Sequence, residues 1–370
     1  MKNESDFVGG LSEREQLVMA YLVQYPEIPD FELALKIGIK RSTFSTIKKR
    51  LKAKKYYTLV YLPNVAYLNI EFITLNIRVI SELSSYYGVS DSSDEKKSVN
   101  FLDILKNSNR LLFSAVESNL ALTLSCYENY NKFEEISDQL ENNLLNLGIN
   151  FSFQQELHFP IRLSEFPRFL DYSKSLFRLF GLSLEEKLEK PIFLPPQDPQ
   201  LRITQVGQEI LYSFLEAPGR TPREVSQLTG RPRTTTTRWL KKLVDSGVIV
   251  PRLFPNTKKL GLNILLLCRY CIISSQASTI EMSLSLIDKV LTPIILMRFG
   301  FDVIVTAVFS SFEEAKVAET HLISLMSDND ILFNVEYRNF LSLPHTITTL
   351  DYMDSFMPIL TFLGETEQTS

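Results

Sequence analysis

The strongest constraint on the fold is an internal repeat. Shifting the sequence by 192 positions aligns residues 18–70 with residues 210–262 without a gap. Ten aligned pairs are identical, namely Pro26/Pro218, Glu32/Glu224, Gly38/Gly230, Arg41/Arg233, Thr43/Thr235, Lys49/Lys241, Leu51/Leu243, Pro63/Pro255, Asn64/Asn256 and Leu68/Leu260. We therefore interpret the chain as a tandem duplication, in which each half is a copy of the same domain arrangement.

Length and composition agree with two folded halves. The chain has 370 residues, of which 45% are hydrophobic and 22% charged, and this composition excludes disordered and collagen-like proteins. Either half is long enough to bury its own core. The boundary is expected in the segment "EKPIFLPPQDPQ", because its four prolines favour an extended linker.

Each half opens with three short helical patterns and two β-like segments. In the second half Thr221 is a helix N-cap, Pro222 fits the first helical position, and Glu224 completes a capping box. After the third helix, "VIVPRLF" and the stretch following "PNTKKLG" suggest a β-hairpin wing. We predict winged helix-turn-helix modules at residues 11–69 and 201–261.

After each wing the hydrophobic period changes from helical to alternating. The order of elements is βαββαβ, with one of the helices expected at Phe101 to Lys106, and it predicts ferredoxin-like sandwiches at residues 70–160 and 262–343. A helix and the Pro-rich linker are expected at 161–200, and a helical tail at 344–370. The predicted fold class is α+β.

Charge is strongly segregated along the chain. The total is −4, but residues 11–69 carry +5 and residues 202–263 carry +7, which leaves −16 for the remainder. Basic helix-turn-helix modules on an acidic body favour duplex DNA as the partner. A solvated helix end stabilised by the helix dipole is the alternative explanation for the basic run Lys48, Lys49, Arg50, Lys52, Lys54 and Lys55.

The third helix of each module carries the residue types that suit DNA recognition. Short hydroxyl side chains permit a close approach to DNA, while Arg and Lys reach phosphates or the edge of guanine. No acid interrupts the outward positions, whereas an ordinary surface helix alternates Glu and Lys. The predicted DNA-binding residues are Arg41, Ser42, Ser45, Thr46, Lys49, Arg233, Thr234, Thr237, Arg238 and Lys241.

Three cysteines are too few for a disulfide framework. Cys268 and Cys271 form a CxxC motif within a strand-like run, which places the two thiols on opposite faces, so core packing is expected and no metal site. The first ten residues do not resemble a secretory signal, and no apolar run is long enough for a membrane span. We therefore expect a soluble, cytoplasmic protein with no membrane partner.

The segment Gly247–Gly261, "GVIVPRLFPNTKKLG", together with the modules around it, resembles the Lrp/AsnC (feast/famine) transcription regulators. Each half of the chain shows this resemblance, and the two halves together cover nearly the whole chain. It implies DNA recognition by the third helix, sheet-to-sheet pairing of the sandwiches, and amino-acid or related effectors at their interface. Family proteins are usually single units that dimerise, whereas this chain carries two copies, so we expect an intramolecular pseudo-dimer; homo-oligomers of whole chains remain open.

The resemblance also implies an effector site. The family often has a Gly, a spacer and an aromatic-Asp pair at the hairpin between the second and third strands of the sandwich. This chain has Gly300-Phe301-Asp302 without the spacer, and the first copy has neither Gly nor Asp there. Gly300 and Asp302 are candidate effector-binding residues, and a tight turn is the alternative explanation.

Three common enzyme motifs are absent from the sequence. There is no P-loop, GxSxG or HExxH motif, and the three histidines are far apart in sequence. We therefore expect no enzymatic activity and no cofactor. Two alternatives stay open: a winged-helix module that binds protein, and a tetrapyrrole-binding enzyme of the siroheme decarboxylase type, which shares this architecture.

Overall fold

The computed structural model describes residues 8–65, 70–81, 111–117, 120–146, 150–183, 203–216, 219–343 and 347–349. Its helices are α1 (Glu13–Gln24), α2 (Asp30–Lys36), α3 (Arg41–Ala53), α4 (Tyr130–Asn146), α5 (Ser173–Leu179), α6 (Gln205–Glu216), α7 (Pro222–Thr229), α8 (Arg233–Asp245), α9 (Thr257–Leu260), α10 (Ala277–Val290) and α11 (Phe312–Asp328). Its strands are β1 (Tyr57–Pro63), β2 (Phe72–Ser81), β3 (Leu111–Glu117), β4 (Leu120–Tyr127), β5 (Asn150–Pro160), β6 (Glu165–Phe169), β7 (Ile249–Pro255), β8 (Ile264–Ile272), β9 (Ile295–Phe299), β10 (Asp302–Phe309), β11 (Phe333–Ser342) and β12 (Ile347–Thr349).

Local sequence signals determine where the first helices of each half begin and end. The Thr221 hydroxyl accepts from the backbone N–H of Glu224 at 3.3 Å, and the Glu224 carboxylate accepts from the Thr221 N–H at 2.6 Å. Ser12 and Glu15 form the same capping box at α1. Gly230 ends α7 in the left-handed region at φ 65°, a conformation that glycine adopts without strain.

The second sheet has the βαββαβ order that the sequence predicts. Its strands are arranged β11-β8-β10-β9-β6, and every pair is antiparallel. Helices α10 and α11 cover one face, where the strands contribute an apolar core that includes Leu266, Cys268, Tyr270 and Val305. Mixed helices and antiparallel sheets confirm the α+β class.

The first sheet has the order β12-β3-β4-β2-β5, and it is also antiparallel. Helix α4 packs on one face through Phe133, whose ring lies 5.2 Å from that of Tyr127 and 6.0 Å from that of Phe72. The helix predicted at Phe101 to Lys106 lies outside the described residues.

The predicted wing hairpins differ from the structure. Strands β1 and β7, one from each half, pair with each other in a two-stranded sheet. Where a hairpin was expected after β7, the Asn256 side chain accepts from the Lys259 N–H at 3.0 Å and caps the short helix α9. Among the described residues, neither β1 nor β7 pairs with a strand of its own half, and after β7 the Asn256 cap turns the chain into a helix.

The segments that follow the sandwiches also contain strands that the sequence analysis missed. β6 lies in the predicted helix and linker segment and joins the second sheet beside β9. Within residues 161–183, the described part of this segment, α5 is the only helix. β12 lies in the predicted helical tail and joins the first sheet beside β3; the β-branched run of Ile347, Thr348 and Thr349 favours a strand. Residues 350–370 lie outside the described residues.

The chain divides into two compact units that each combine segments of both halves. Unit 1 contains Met1–Leu62, Ser164–Ile192 and Ile249–Pro344, and unit 2 contains Pro63–Leu163, Phe193–Val248 and His345–Ser370. The first three helices therefore fold with the second sheet, and α6–α8 fold with the first.

A buried ionic cluster fixes β6 and α5 within unit 1. Arg168 of β6 binds the carboxylates of Asp171 and of Asp288 on α10, and Lys174 of α5 also binds Asp288. Burial alone would raise the pKa of Asp171, but the Arg168 and Arg252 guanidiniums and hydrogen bonds from Ser173 hold this pKa below its ordinary value. Asp171 is therefore a carboxylate, and the cluster ties a segment of the first half to the second half.

The exchange of segments predicts that a cut between the halves leaves them associated. For this test, a specific protease site is inserted between Pro195 and Pro196, and the purified protein is cut there. We expect the two fragments to co-elute in size-exclusion chromatography and to separate only in denaturant, because each sheet contains a strand from the other half. Two separate fragment peaks under native conditions would contradict this arrangement.

Candidate nucleic-acid interface

Helix α3 of unit 1 has a buried and an exposed face. Phe44, Ile47 and Leu51 are buried, as the helical period predicts. The DNA-binding candidates lie on the other side; Ser45 is half-buried, and the exposed ones are Arg41, Ser42, Thr46 and Lys49. The Thr46 hydroxyl donates to the Ser42 carbonyl at 2.9 Å, which holds this side chain against its own helix.

Helix α8 of unit 2 repeats this arrangement. Trp239 and Leu243 are buried, and Trp239 packs so closely on α6 that a Cβ at Gly207 would lie 2.8 Å from its ring. Gly207 therefore permits the close packing of these two helices. All candidates on this helix are exposed, namely Arg233, Thr234, Thr237, Arg238 and Lys241.

Some basic side chains in these modules form ion pairs within their own module. Lys48 binds Asp30 of α2 at 2.6 Å, and Arg50 binds Glu15 of α1 at 2.6 Å. In unit 2, Arg231 binds Glu209 of α6 at 2.8 Å. These ion pairs connect the third helix, or the turn before it, to a neighbouring helix of the same module. They are partly exposed, so each contributes little to stability.

The basic candidates on the outward faces of α3 and α8 differ from these residues in their partners. Within the part of the chain that the structure describes, no ion pair or hydrogen bond engages the charged groups of Arg41, Lys49, Arg233, Arg238 or Lys241. Their positive charge is therefore available to a partner outside the chain.

Arginine at the start of both helices opposes helix stability. Arg41 and Arg233 occupy the first helical position, and neither helix has an acid in its first turn. A cation there is unfavourable because the helix N-terminus already carries partial positive charge. The same combination of cation and free backbone N–H groups attracts a phosphate.

The structure adds two basic positions that we did not predict. Lys40 precedes α3, and Arg223 lies in the first turn of α7; both are exposed. The sequence signal was their position inside the basic segments, but neither belongs to the third-helix pattern used for the prediction. They extend each basic surface beyond its third helix.

The candidate effector residues lie at the turn between β9 and β10. Gly300 has φ 59°, and the Asp302 carboxylate accepts from Arg269 of β8 at 2.9 Å. Asp302 thus has a structural partner, and effector binding at this turn stays a prediction.

The cysteines follow strand alternation. Cys268 is buried in the core of the second sheet, and Cys271 is half-buried on the opposite face. Among the residues described, no group of His, Cys, Asp and Glu is arranged to hold a metal ion. The helices that the structure describes include none long and apolar enough to span a membrane.

Comparisons with known proteins show a similarity in fold. No family model and no curated protein matches the chain. The siroheme decarboxylase NirDL, solved with an iron-uroporphyrin III analogue, covers 96% of this chain and 100% of its own at 9% identity and a TM-score of 0.48. A second structure of that decarboxylase gives 9% identity, 95% and 100% coverage and a TM-score of 0.47. The protein PH0061 covers 39% of this chain and 94% of its own at 18% identity and a TM-score of 0.29.

These comparisons correct one expectation. We expected the chain not to be an enzyme, and that expectation is wrong, because the proteins that match nearly its full length include a siroheme decarboxylase. At 9% identity the likeness concerns the fold, and it assigns neither a reaction nor a tetrapyrrole to this chain.

Proposed function

We propose that this protein is a sequence-specific DNA-binding transcription regulator. Its architecture would be a tandem duplication of an Lrp/AsnC-like unit. Each unit would consist of a helix-turn-helix module followed by a ferredoxin-like sandwich. Helix α3 of the first module and α8 of the second would enter the major groove of duplex DNA.

One observation carries the proposal. Lys48 and Arg50 are paired with acids of neighbouring helices, whereas no ion pair among the described residues engages the outward candidates Arg41, Lys49, Arg233, Arg238 and Lys241. A solvated helix end would not require this division, because all its lysines and arginines would be equivalent. The cations without such a pair include two aligned sets, Arg41 with Arg233 and Lys49 with Lys241, and this agreement supports an interface with a polyanion.

The exchange of segments between the halves supports an internal pseudo-dimer. Each compact unit contains helices from one half and a sheet from the other. One chain would then supply both recognition helices. We propose a cytoplasmic location, where such a regulator meets DNA.

Selection from random duplex DNA tests the function directly. The full chain is mixed with a randomised duplex library at about 0.1 M salt, the bound fraction is amplified, and the enriched sequences are read. Enrichment of one defined site supports the proposal. Retention of the library without any enriched sequence would indicate non-specific binding, and no retention would favour a protein-binding module; either result overturns the proposal.

The two recognition helices predict an asymmetric site. At aligned positions Thr46 faces outward on α3 and Arg238 on α8. Arginine can make a bidentate pair with guanine that threonine cannot, and such a pair discriminates by about 1 to 3 kcal/mol. We expect Arg238→Ala to relax the preference at one guanine, measured by repeating the selection with the variant.

Thr46→Ala is the matched control and should leave the guanine preference intact. A palindromic selected site, or an unchanged preference in Arg238→Ala, would contradict this assignment of the two helices.

A further inference from the structure

Exposed lysines from both halves of the chain lie together in unit 1. One belongs to α3, two directly follow this helix, and two belong to the short helix α9 of the second half; they are Lys52, Lys54, Lys55, Lys258 and Lys259. We call these residues the lysine surface. The Asn256 side chain, which caps α9, donates to the Lys55 carbonyl at 3.3 Å, and the Lys259 ammonium donates to the Lys54 carbonyl. These contacts hold α9 against the end of α3.

Most of the lysine surface has no acidic partner. In the ranges that the structure describes, no ion pair or hydrogen bond engages the ammonium groups of Lys52, Lys54, Lys55 or Lys258. Lys259 differs, because its ammonium binds the end of α3 and lies 5.5 Å from the centre of the Tyr56 ring. Like charges on neighbouring segments repel one another, so the lysine surface opposes folding unless an anion neutralises it.

The second copy of the same junction lacks this charge. A shift of 192 residues aligns the lysine surface with Val244, Ser246, Gly247, Ala66 and Tyr67. The junction itself is conserved between the copies, because the Asn64 side chain donates to the Gly247 carbonyl at 3.0 Å, as Asn256 does to that of Lys55. The helix dipole does not require the lysines either, since α8 ends at Asp245. The fold therefore does not explain the lysine surface.

Lys55 is, in addition, an unfavourable residue for its backbone conformation. Its φ is 54°, in the left-handed region, and the aligned Gly247 has φ 74°. Glycine adopts this conformation without strain, whereas a residue with a Cβ is disfavoured there. A strained cation at a position where the other copy has glycine points to a role of its charge outside the fold.

The lysine surface continues the outward face of α3. Lys49 and Lys52 are three residues apart on this helix, so their side chains are neighbours. With 13 residues α3 is about 20 Å long, and Arg41 lies at its other end. This length exceeds the width of the DNA major groove, about 12 Å. Lysines at the far end of a helix that enters the groove can therefore reach the phosphates that border it.

We propose that the lysine surface binds phosphates of the DNA duplex beside the bases that α3 contacts. This inference rests on the proposed DNA-binding function. Phosphate contacts supply affinity and carry no sequence information. Unit 1 would anchor the chain on DNA with charges from both halves, whereas α8 of unit 2, which carries Arg238, would contribute more of the base discrimination.

Variants that carry the residues of the second copy test the proposal. Lys54→Ser with Lys55→Gly removes two charges, and a triple variant with Lys258→Ala removes a third charge, from the other half. The backbone carbonyls of Lys54 and Lys55 remain, so their bonds to Lys259 and Asn256 are kept. The Tm of both variants should equal or exceed that of the unchanged protein, because glycine relieves the strain at position 55.

We expect the double variant to bind duplex DNA at least tenfold more weakly at about 0.1 M salt. The slope of log K against log salt should flatten by about 1.8, and by about 0.9 more in the triple variant. Selection from random duplex DNA should enrich the same site as with the unchanged protein, because the lost contacts are to phosphates. Fluorescence anisotropy over a salt series measures the affinity and the slope.

Arg162→Ser with Lys289→Ser is the control for the double variant. Both residues are exposed and lie outside the basic modules, and the substitution removes the same charge. We expect an almost unchanged salt slope. An equal loss of affinity in the control and in the double variant would overturn the proposal, because it would show a response to net charge.

Two further results would overturn it. One is an affinity and a salt slope of the triple variant equal to those of the unchanged protein; DNA binding would then stand without the lysine surface. The other is a changed base preference in the selected site, which would make these lysines contacts to bases. Absence of DNA binding by the unchanged protein is a different outcome, because it contradicts the proposed function itself and this inference with it.

Discussion

Reversing one outward charge on each recognition helix should lower the affinity for duplex DNA about 100-fold. The variant is Lys49→Glu with Lys241→Glu. Two phosphate contacts are lost, so the slope of log K against log salt should flatten by about 1.8, at roughly 0.9 per contact. Neither ammonium has a partner among the described residues, so the fold should be unaffected. Fluorescence anisotropy over a salt series measures both quantities.

Arg162→Glu with Lys289→Glu is the matched control. Both residues are exposed, both lie outside the recognition helices, and the double substitution changes the net charge by the same amount. We expect a small loss of affinity and an almost unchanged salt slope. Equal losses in the two variants would mean that the affinity for DNA depends on net charge alone. This result would contradict the assignment of α3 and α8 as recognition helices.

Removing Arg168 should destabilise unit 1 by about 3 to 5 kcal/mol, because the buried Asp171 carboxylate loses its ion-pair partner. The guanidinium is 4% exposed and lies between Asp171 and Asp288. In Arg168→Ala, Lys174 still reaches Asp288, but Asp171 loses the nearest of its opposing charges. Urea denaturation followed by circular dichroism measures the free energy of unfolding.

Arg298→Ala provides the comparison within the same pair of strands. Arg298 of β9 binds Glu165 of β6 at 2.5 Å, but the carboxylate is half exposed, so its loss should cost at most about 1 kcal/mol. If the two variants were equally stable, burial would not determine the strength of the Arg168 cluster.

The sequence was sufficient for the parts of the fold that depend on local signals. The capping box of Thr221 and Glu224, the end of α7 at Gly230 and the buried face of α3 all follow from neighbouring residues. Strand pairing between the halves did not follow. β6 is short and contains Pro167, and nothing near Phe169 in sequence indicates that β9 is its partner.

The polar side chains of β2 show a second reason why sequence analysis missed a feature of the fold. β2 alternates Thr74, Asn76 and Arg78 with Ile73, Leu75 and Ile77, a pattern that predicts a strand with one face in water. Only the position of α4 shows that the polar face is covered. In contrast, the exposed candidates on α3 and α8 were predictable, because a helix that packs through Phe44 or Trp239 must present its opposite side to solvent.

β12, a strand of the second half that joins the first sheet, also sets an order for folding during synthesis. β3 forms an edge of the first sheet until β12 arrives, and on a ribosome β12 emerges long after β5, which ends at Pro160. At about 5 to 20 residues per second, that edge stays open for roughly 10 to 40 seconds. An open strand edge can pair with another nascent chain, so polysomes translating this message are where misassembly would begin. A truncated chain that ends before Ile347 lacks β12, so β3 remains an open edge of its first sheet.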